Sequence, residues 1–234
     1  MAEDLEIETY LSISPYKFGI YLLNKKNFKN LYKEELLLSN PNEEVDLKAL
    51  NIFLEENIFS IEKLIGKFVE NISLIVEINK IFNLNFGIHK KNYDHIINYK
   101  FLENILIDAK DLYKENYKEQ KILHIIINRY LVDGNQFLSF NENLKGENLC
   151  IEIKIKSISN NFLSEIDKIL EKFQIKITNY LDGSYIKNQF KDENIELSFM
   201  AHKILNGYNV NEVLVVPKNQ QKTGFFEKFF QLFS

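Results

Sequence analysis

Cys150 and the four histidines, His89, His95, His124 and His202, are the side chains whose types suit nucleophilic or metal chemistry. No histidine stands at a metal-ligand spacing from another or from Cys150. His124 falls in the apolar run from Ile122 to Val132, where the expected role is a hydrogen-bonded core histidine. Cys150 has no base near it in sequence and sits in an apolar strand pattern, so it reads as core packing. No serine occupies a Gly-x-Ser-x-Gly elbow. Asp182-Gly183-Ser184 reads as a turn, and Glu55-Glu56 as a solvated helix face. The eight glycines, at positions 19, 66, 87, 134, 146, 183, 207 and 224, never adjoin. A backbone that wraps phosphate needs clustered glycines so that successive N–H groups point inward, and neither a Walker loop nor a dinucleotide fingerprint occurs. The expectation is a non-enzyme with no catalytic, cofactor-binding or metal-binding residues.

A different chemistry, partition to an interface, is written at the carboxyl end. Phe225, Phe226, Phe229, Phe230 and Phe233 recur at i, i+1, i+4, i+5 and i+8, so on a helix the five rings share one face. Leu232 broadens that face, and Glu227, Lys228, Gln231 and Ser234 fall opposite. The preceding Pro217 to Thr223 is polar and reads as a tether. A short amphipathic helix on a leash predicts peripheral membrane binding through Phe225, Phe226, Phe229, Phe230, Leu232 and Phe233, with Lys222 and Lys228 facing anionic lipid. The competing reading docks the same helix on its own domain or on a second copy. Each buried ring is worth roughly 1.5–3 kcal/mol, and each ordered residue costs roughly 1 kcal/mol or more. One tail therefore binds weakly, and stable attachment requires several tails on one assembly.

The 234 residues suffice for one large domain or two small ones, and a 45% hydrophobic content supports a real core. A net charge of −4 without a basic block argues against nucleic acid as a partner. No apolar run approaches the length of a membrane span. The acidic stretch Met1-Ala2-Glu3-Asp4-Leu5-Glu6 is unlike a signal peptide. The single cysteine fits a reducing cytoplasm.

Strands are expected over Thr9–Ser14, Phe18–Leu23 and Leu31–Leu38, with a Ser14-Pro15-Tyr16-Lys17 turn between the first two. Asp46 caps a helix expected to run to about Phe68, with Leu47, Leu50, Leu54, Ile58, Ile61, Ile65 and Phe68 on its apolar stripe. Strands follow at Ile72–Ile78 and Ile81–Ile88. A helix over Tyr99–Tyr113 carries the stripe Leu102, Ile105, Leu106, Ala109, Leu112 and Tyr113. Ile122–Val132 is a strand ending at Asp133-Gly134, and Gln136 to Glu147 a loop. Leu149–Ile158 alternates, with Ile151, Ile153 and Ile155 opposite Glu152, Lys154 and Lys156. A helix near Phe162–Phe173, a strand at Ile175–Leu181 and a helix over Asn194–Leu205 complete an α/β chain with a mixed sheet.

From Lys121 onward the order of features resembles FtsA, the actin-like membrane adaptor family of bacterial cell division. The carrying residues are Ile122-Leu123-His124-Ile125-Ile126, Tyr130-Leu131-Val132-Asp133-Gly134, Asn143 to Leu149, Phe173-Gln174-Ile175-Lys176-Ile177, and the C-terminal Gly224-Phe225-Phe226-Glu227-Lys228-Phe229-Phe230. The resemblance implies a partial actin-like (ribonuclease H-like) lobe from residues 1–70 plus 148–210. It also implies an inserted SHS2-type α+β subdomain over 71–147, a linker over 211–223 and a membrane-targeting helix over 224–234. The family's phosphate turn is replaced by Ser12-Ile13-Ser14-Pro15-Tyr16-Lys17, in which Lys17 alone survives. The second lobe, which carries the other wall of the ATP cleft and the docking surface for FtsZ, has no counterpart after Leu181. The implied protein is a shortened adaptor that binds no ATP. It lies on the cytoplasmic side of the inner membrane, recruits division proteins, is able to self-associate, and does not inherit FtsZ binding. A pilus-assembly adaptor with the same core, or an interaction domain whose tail is a dimer seam, are the alternatives.

Overall fold

The computed structural model describes residues 6–39, 43–93, 96–140, 144–191 and 194–213. In chain order the elements are β1 (Ile7–Ile13), β2 (Lys17–Asn24), β3 (Lys29–Leu37), α1 (Leu47–Ile65), β4 (Asn71–Val76), β5 (Phe82–Lys91), α2 (Tyr99–Asn116), β6 (Gln120–Val132), β7 (Asn135–Phe137), β8 (Asn148–Ser159), α3 (Asn160–Glu171), β9 (Lys176–Asp182), α4 (Gly183–Gln189) and α5 (Leu197–Leu205). Of the described residues, those up to Ile81 and from Ser159 to Asn206 form one compact unit, and Phe82–Ile158 with Gly207 to Val213 form the other.

The first unit holds a five-stranded sheet in the order β3-β2-β1-β4-β9. β1 pairs antiparallel with β2, and β2 with β3, because the Ser14–Lys17 turn and the Asn24–Phe28 turn each reverse the chain at once. β4 and β9 return through helices and run parallel to β1. This is the mixed α/β class read from the sequence. Tyr10, Leu11, Ile13, Phe18, Ile20, Leu22 and Leu23 are fully buried. Neighbouring residues of β1 and β2 point to opposite faces and are buried on both, the pattern of a sheet covered on both sides. α1 supplies Leu50, Phe53, Leu54, Ile58 and Ile61 to that core, with the Phe53 and Phe18 rings 6.0 Å apart.

Three expectations change here. α1 ends at Ile65 because Gly66 adopts a left-handed conformation (φ 70°) and its N–H caps Glu62 O. Phe68 is therefore outside the helix and 80% exposed, not on the buried stripe. Asp182-Gly183-Ser184 is not a simple turn: the Asp182 carboxylate accepts from Ser184 N–H at 2.9 Å and starts α4. The strand at Ile72 belongs to the first sheet, between β1 and β9, so the unit boundary falls after Ile81 and not at residue 70.

The second unit is one helix, α2, on a four-stranded sheet of order β5-β8-β6-β7. Leu149, Ile151, Ile153 and Ile155 of β8 join Leu102, Ile105, Leu106, Ala109 and Tyr113 of α2 in one core. The alternation read for β8 holds. Cys150 is the exception to its expected role. It shares the face of Glu152 and Lys154, is only half-buried, and lies against Gly87, where an added Cβ would meet its Sγ at 3.2 Å. Leu112, placed on the buried stripe of α2, is 51% exposed. Among the described residues, no helix is long and apolar enough to cross a membrane.

Candidate functional site

Two places carry the functional question: the carboxyl ends of the parallel strands, where open α/β sheets hold ligands, and the point from which the C-terminal segment departs. At the first, the β1–β2 turn closes upon itself. Ser14 N–H donates to Lys17 O at 3.0 Å, and the Ser14 hydroxyl donates to the same carbonyl. Ser14 Oγ also accepts from Tyr16 N–H at 3.2 Å and Lys17 N–H at 2.9 Å. The turn N–H groups that a phosphate would need are thus committed to a buried serine.

Lys17 is committed as well. Its Nζ lies 3.1 Å from Glu35 Oε1, which also accepts from the Tyr21 hydroxyl at 2.6 Å. Burial alone would raise the Glu35 carboxyl, but the hydrogen bonds from Tyr21 and Lys17 outweigh it and hold it below the usual carboxylate range. Burial, helped by the bond to Glu35, drives the Tyr21 phenol far upward, so it stays a donor. At the neighbouring strand ends stand Glu77, ion-paired with Lys187, and the helix-capping Asp182. Glu35 and Glu77 are thus each ion-paired, and Asp182 caps α4.

At the opposite, amino ends of β1 and β4 lies an open groove of about 590 Å³ lined by Glu8, Lys67, Phe68, Glu70, Asn71 and Asn179, among others. Glu8 there is occupied by His202 Nδ1 at 2.7 Å and by the Tyr10 hydroxyl at 2.5 Å. Burial would raise the Glu8 carboxyl, and these bonds turn the balance downward. Among the described residues no group of three or more His, Cys, Asp or Glu gathers as for a metal ion. Cys150 is a poor nucleophile, because burial and then Glu152 raise its thiol.

The second place is built on β6. Val213 N–H donates to Ile125 O and Ile127 N–H to Asn211 O, both at 2.8 Å, so Asn211–Val213 pairs with the strand around an Ile126–Glu212 bridge. Beneath that bridge Glu212 Oε1 lies 2.5 Å from His124 Nδ1, with both side chains buried. His124 is the core histidine that the apolar run predicts. Its partner was not legible, although a lone imidazole in an apolar strand signals that some polar group must meet it. The Asn211 amide also donates to Leu138 O at 3.0 Å. Asn211–Val213, read as part of a linker, is thus the fixed root of the C-terminal segment. Leu138 and Val210 flank it, 67% and 61% exposed.

The membrane-facing residues read from the sequence, Lys222, Phe225, Phe226, Lys228, Phe229, Phe230, Leu232 and Phe233, lie outside the described residues, as does His95. His89 stands on β5, far in sequence from the paired histidines, and among the described residues it joins no group that could hold a metal ion.

No family model matches the chain, and no curated protein does. Among the solved structures it is similar to in fold are three described as follows. One is described as a PilM–PilN type IV pilus biogenesis complex, with 9% identity and a TM-score of 0.48, covering 76% of this chain and 48% of that one. Another is the cytoplasmic domain of EpsL, an inner-membrane component of the type II secretion system of Vibrio cholerae, with 9% identity, a TM-score of 0.34 and coverages of 77% and 56%. The third is a Bacteroides thetaiotaomicron protein with an actin-like ATPase fold and unknown function, with 12% identity, a TM-score of 0.33 and coverages of 80% and 56%. This chain spans about half the length of each.

Proposed function

We propose that this chain is a non-catalytic, actin-like adaptor that lies on the cytoplasmic face of the inner membrane through its C-terminal amphipathic segment and recruits division proteins. The observation that carries the reading is the fixed root of that segment. A weak amphipathic anchor gains from a defined point of departure, because a short leash keeps its effective concentration at the surface high. Asn211–Val213 provides that point, with two backbone hydrogen bonds and the His124–Glu212 contact holding it to β6. Exposed Leu138 and Val210 beside it add apolar area that favours the same interface. The committed N–H groups of the β1–β2 turn and the paired Lys17 support an adaptor without nucleotide chemistry.

In this reading the second unit is the SHS2-type insert and carries the surface for protein partners. The test is co-sedimentation of the full chain with vesicles containing anionic lipid, beside the Phe226→Glu, Phe230→Glu double variant. The native chain is expected in the pellet and the variant in the supernatant; equal sedimentation of the two overturns the membrane assignment. A pilus- or secretion-type adaptor rests on the same geometry and differs in its place of work. A fluorescently tagged chain in the native cell separates the two: a mid-cell band selects division, and polar or scattered envelope foci select the second reading.

A further inference from the structure

We propose that the outer edge of β5 is a self-association surface, pairing antiparallel with β5 of a second copy to make one continuous eight-stranded sheet. Among the described residues β5 is a sheet edge of ten residues, Phe82–Lys91, hydrogen-bonded on one side to β8. Edge strands of soluble proteins are normally blunted by central charges, by shortness or by proline. β3 follows that rule with Lys33, Glu34 and Glu35 at its middle, and β7 is only three residues long. β5 does not: from Phe82 to His89 it carries no Asp, Glu, Lys, Arg or Pro.

The strand's geometry selects the partner. Asn92 N–H donates to Glu147 O, so even-numbered residues of β5 turn their backbone groups toward β8. Asn85, Gly87 and His89 accordingly turn theirs outward. Leu84, Phe86 and Ile88 pack half-buried against the core of the unit. A two-fold axis perpendicular to the sheet at Phe86 satisfies both sets at once. It sets Asn85 opposite Gly87 of the second copy, which completes the outward hydrogen bonds. It also sets Phe86 against Phe86 and Leu84 against Ile88 on the core face, so apolar meets apolar at every such position. Lys90 and Lys91 fall at opposite ends of the ribbon, away from their counterparts, and Lys90 is already paired with Asp108 at 2.8 Å. The strand is therefore complementary to itself, which an unrelated extended peptide matches only by chance.

This surface does not depend on the C-terminal segment. Sedimentation velocity of the full chain over a concentration series tests it, with Asn85→Pro and Asn85→Ala beside it. Proline at this exposed position removes an outward N–H and leaves the β8 ladder whole. It is expected to weaken the dimer on the order of tenfold or more, with Asn85→Ala unchanged. Hydrogen exchange on the native chain gives a readout that needs no variant. The amides of Asn85, Gly87 and His89 are expected to exchange slowly when the chain is dimeric and fast on dilution. A monomer at every concentration, a dimer that Asn85→Pro leaves intact, or fast exchange of those three amides in the dimer would each overturn the proposal. So would loss of the dimer in the Phe226→Glu, Phe230→Glu variant, which would make the tail the seam.

Discussion

His124 Nδ1 lies 2.5 Å from Glu212 Oε1, across 88 residues of sequence and inside the second unit, where both side chains are buried. Two polar groups in an apolar setting need partners, and here each serves the other. The contact therefore does more than join two residues. With the backbone bonds of Asn211 and Val213 it holds the last described turn of chain to β6. Removing one side chain takes a buried hydrogen bond from the other. His124→Leu and Glu212→Leu are each expected to lower the unfolding free energy by about 1–3 kcal/mol. The double variant is expected to cost less than the sum of the two. Urea titrations of the four proteins in a double-mutant cycle measure the coupling.

Gly19 is required by Tyr21. A Cβ at Gly19 would lie 2.5 Å from the Tyr21 hydroxyl oxygen and 2.8 Å from Cζ. The ring is fully buried and bound to Glu35, so it cannot swing clear without breaking that bond. Gly19→Ala is expected to cost about 1–3 kcal/mol by overpacking. The penalty should shrink in a Tyr21→Leu background, where the ring tip is gone. Thermal unfolding of the single and double variants checks this.

Acid should weaken the first unit through two carboxylates. Glu8 and Glu35 both sit below their ordinary value of 4.5, Glu8 despite burial through His202 and Tyr10, and Glu35 despite burial through Tyr21 and Lys17. A carboxylate depressed in the folded state stabilises it above the unfolded pKa, and that stabilisation is lost as pH falls through the folded pKa. The contribution of this pair is expected to be flat from neutral pH to about pH 5 and to fall below about pH 4. The Glu8→Gln, Glu35→Gln protein should start less stable at neutral pH and lose less on acidification. Unfolding midpoints of both proteins between neutral pH and pH 3 measure the difference.

Most of the elements were legible because their periodicity is strong. β8 alternates without a break, and α2 carries its stripe at helical spacing. The errors have local physical causes. Gly66 outranked the apolar Phe68 in ending α1, since the left-handed cap is a backbone event that hydrophobic spacing does not report. Residue type points Cys150 to the core, while its parity with Glu152 and Lys154 places it on the other face. The turn at Asp182-Gly183 is the capped start of α4, and its glycine serves close packing: a Cβ there would meet Ile75 Cγ2 at 3.2 Å and Glu77 Cβ at 3.3 Å. Glu212 was beyond reach, since nothing in a polar stretch near the carboxyl end marks which residue meets a histidine 88 positions earlier.

The β1–β2 turn allows a last and sharper test. In a turn open to phosphate, backbone N–H groups point outward and a free lysine stands beside them. Here Tyr16 and Lys17 N–H are spent on Ser14 Oγ, and Lys17 Nζ is spent on Glu35. No ATP binding is expected by titration calorimetry of the native chain, with or without Mg²⁺. Ser14→Ala removes the acceptor of both N–H groups and is expected to cost about 1–2 kcal/mol of stability without creating affinity, because Lys17 stays paired and the strand-end carboxylates remain. Micromolar affinity in the native chain would mean that the turn opens and that Ser14 is a displaceable cap. Affinity appearing only in Ser14→Ala would mean that this one hydroxyl is what closes the site.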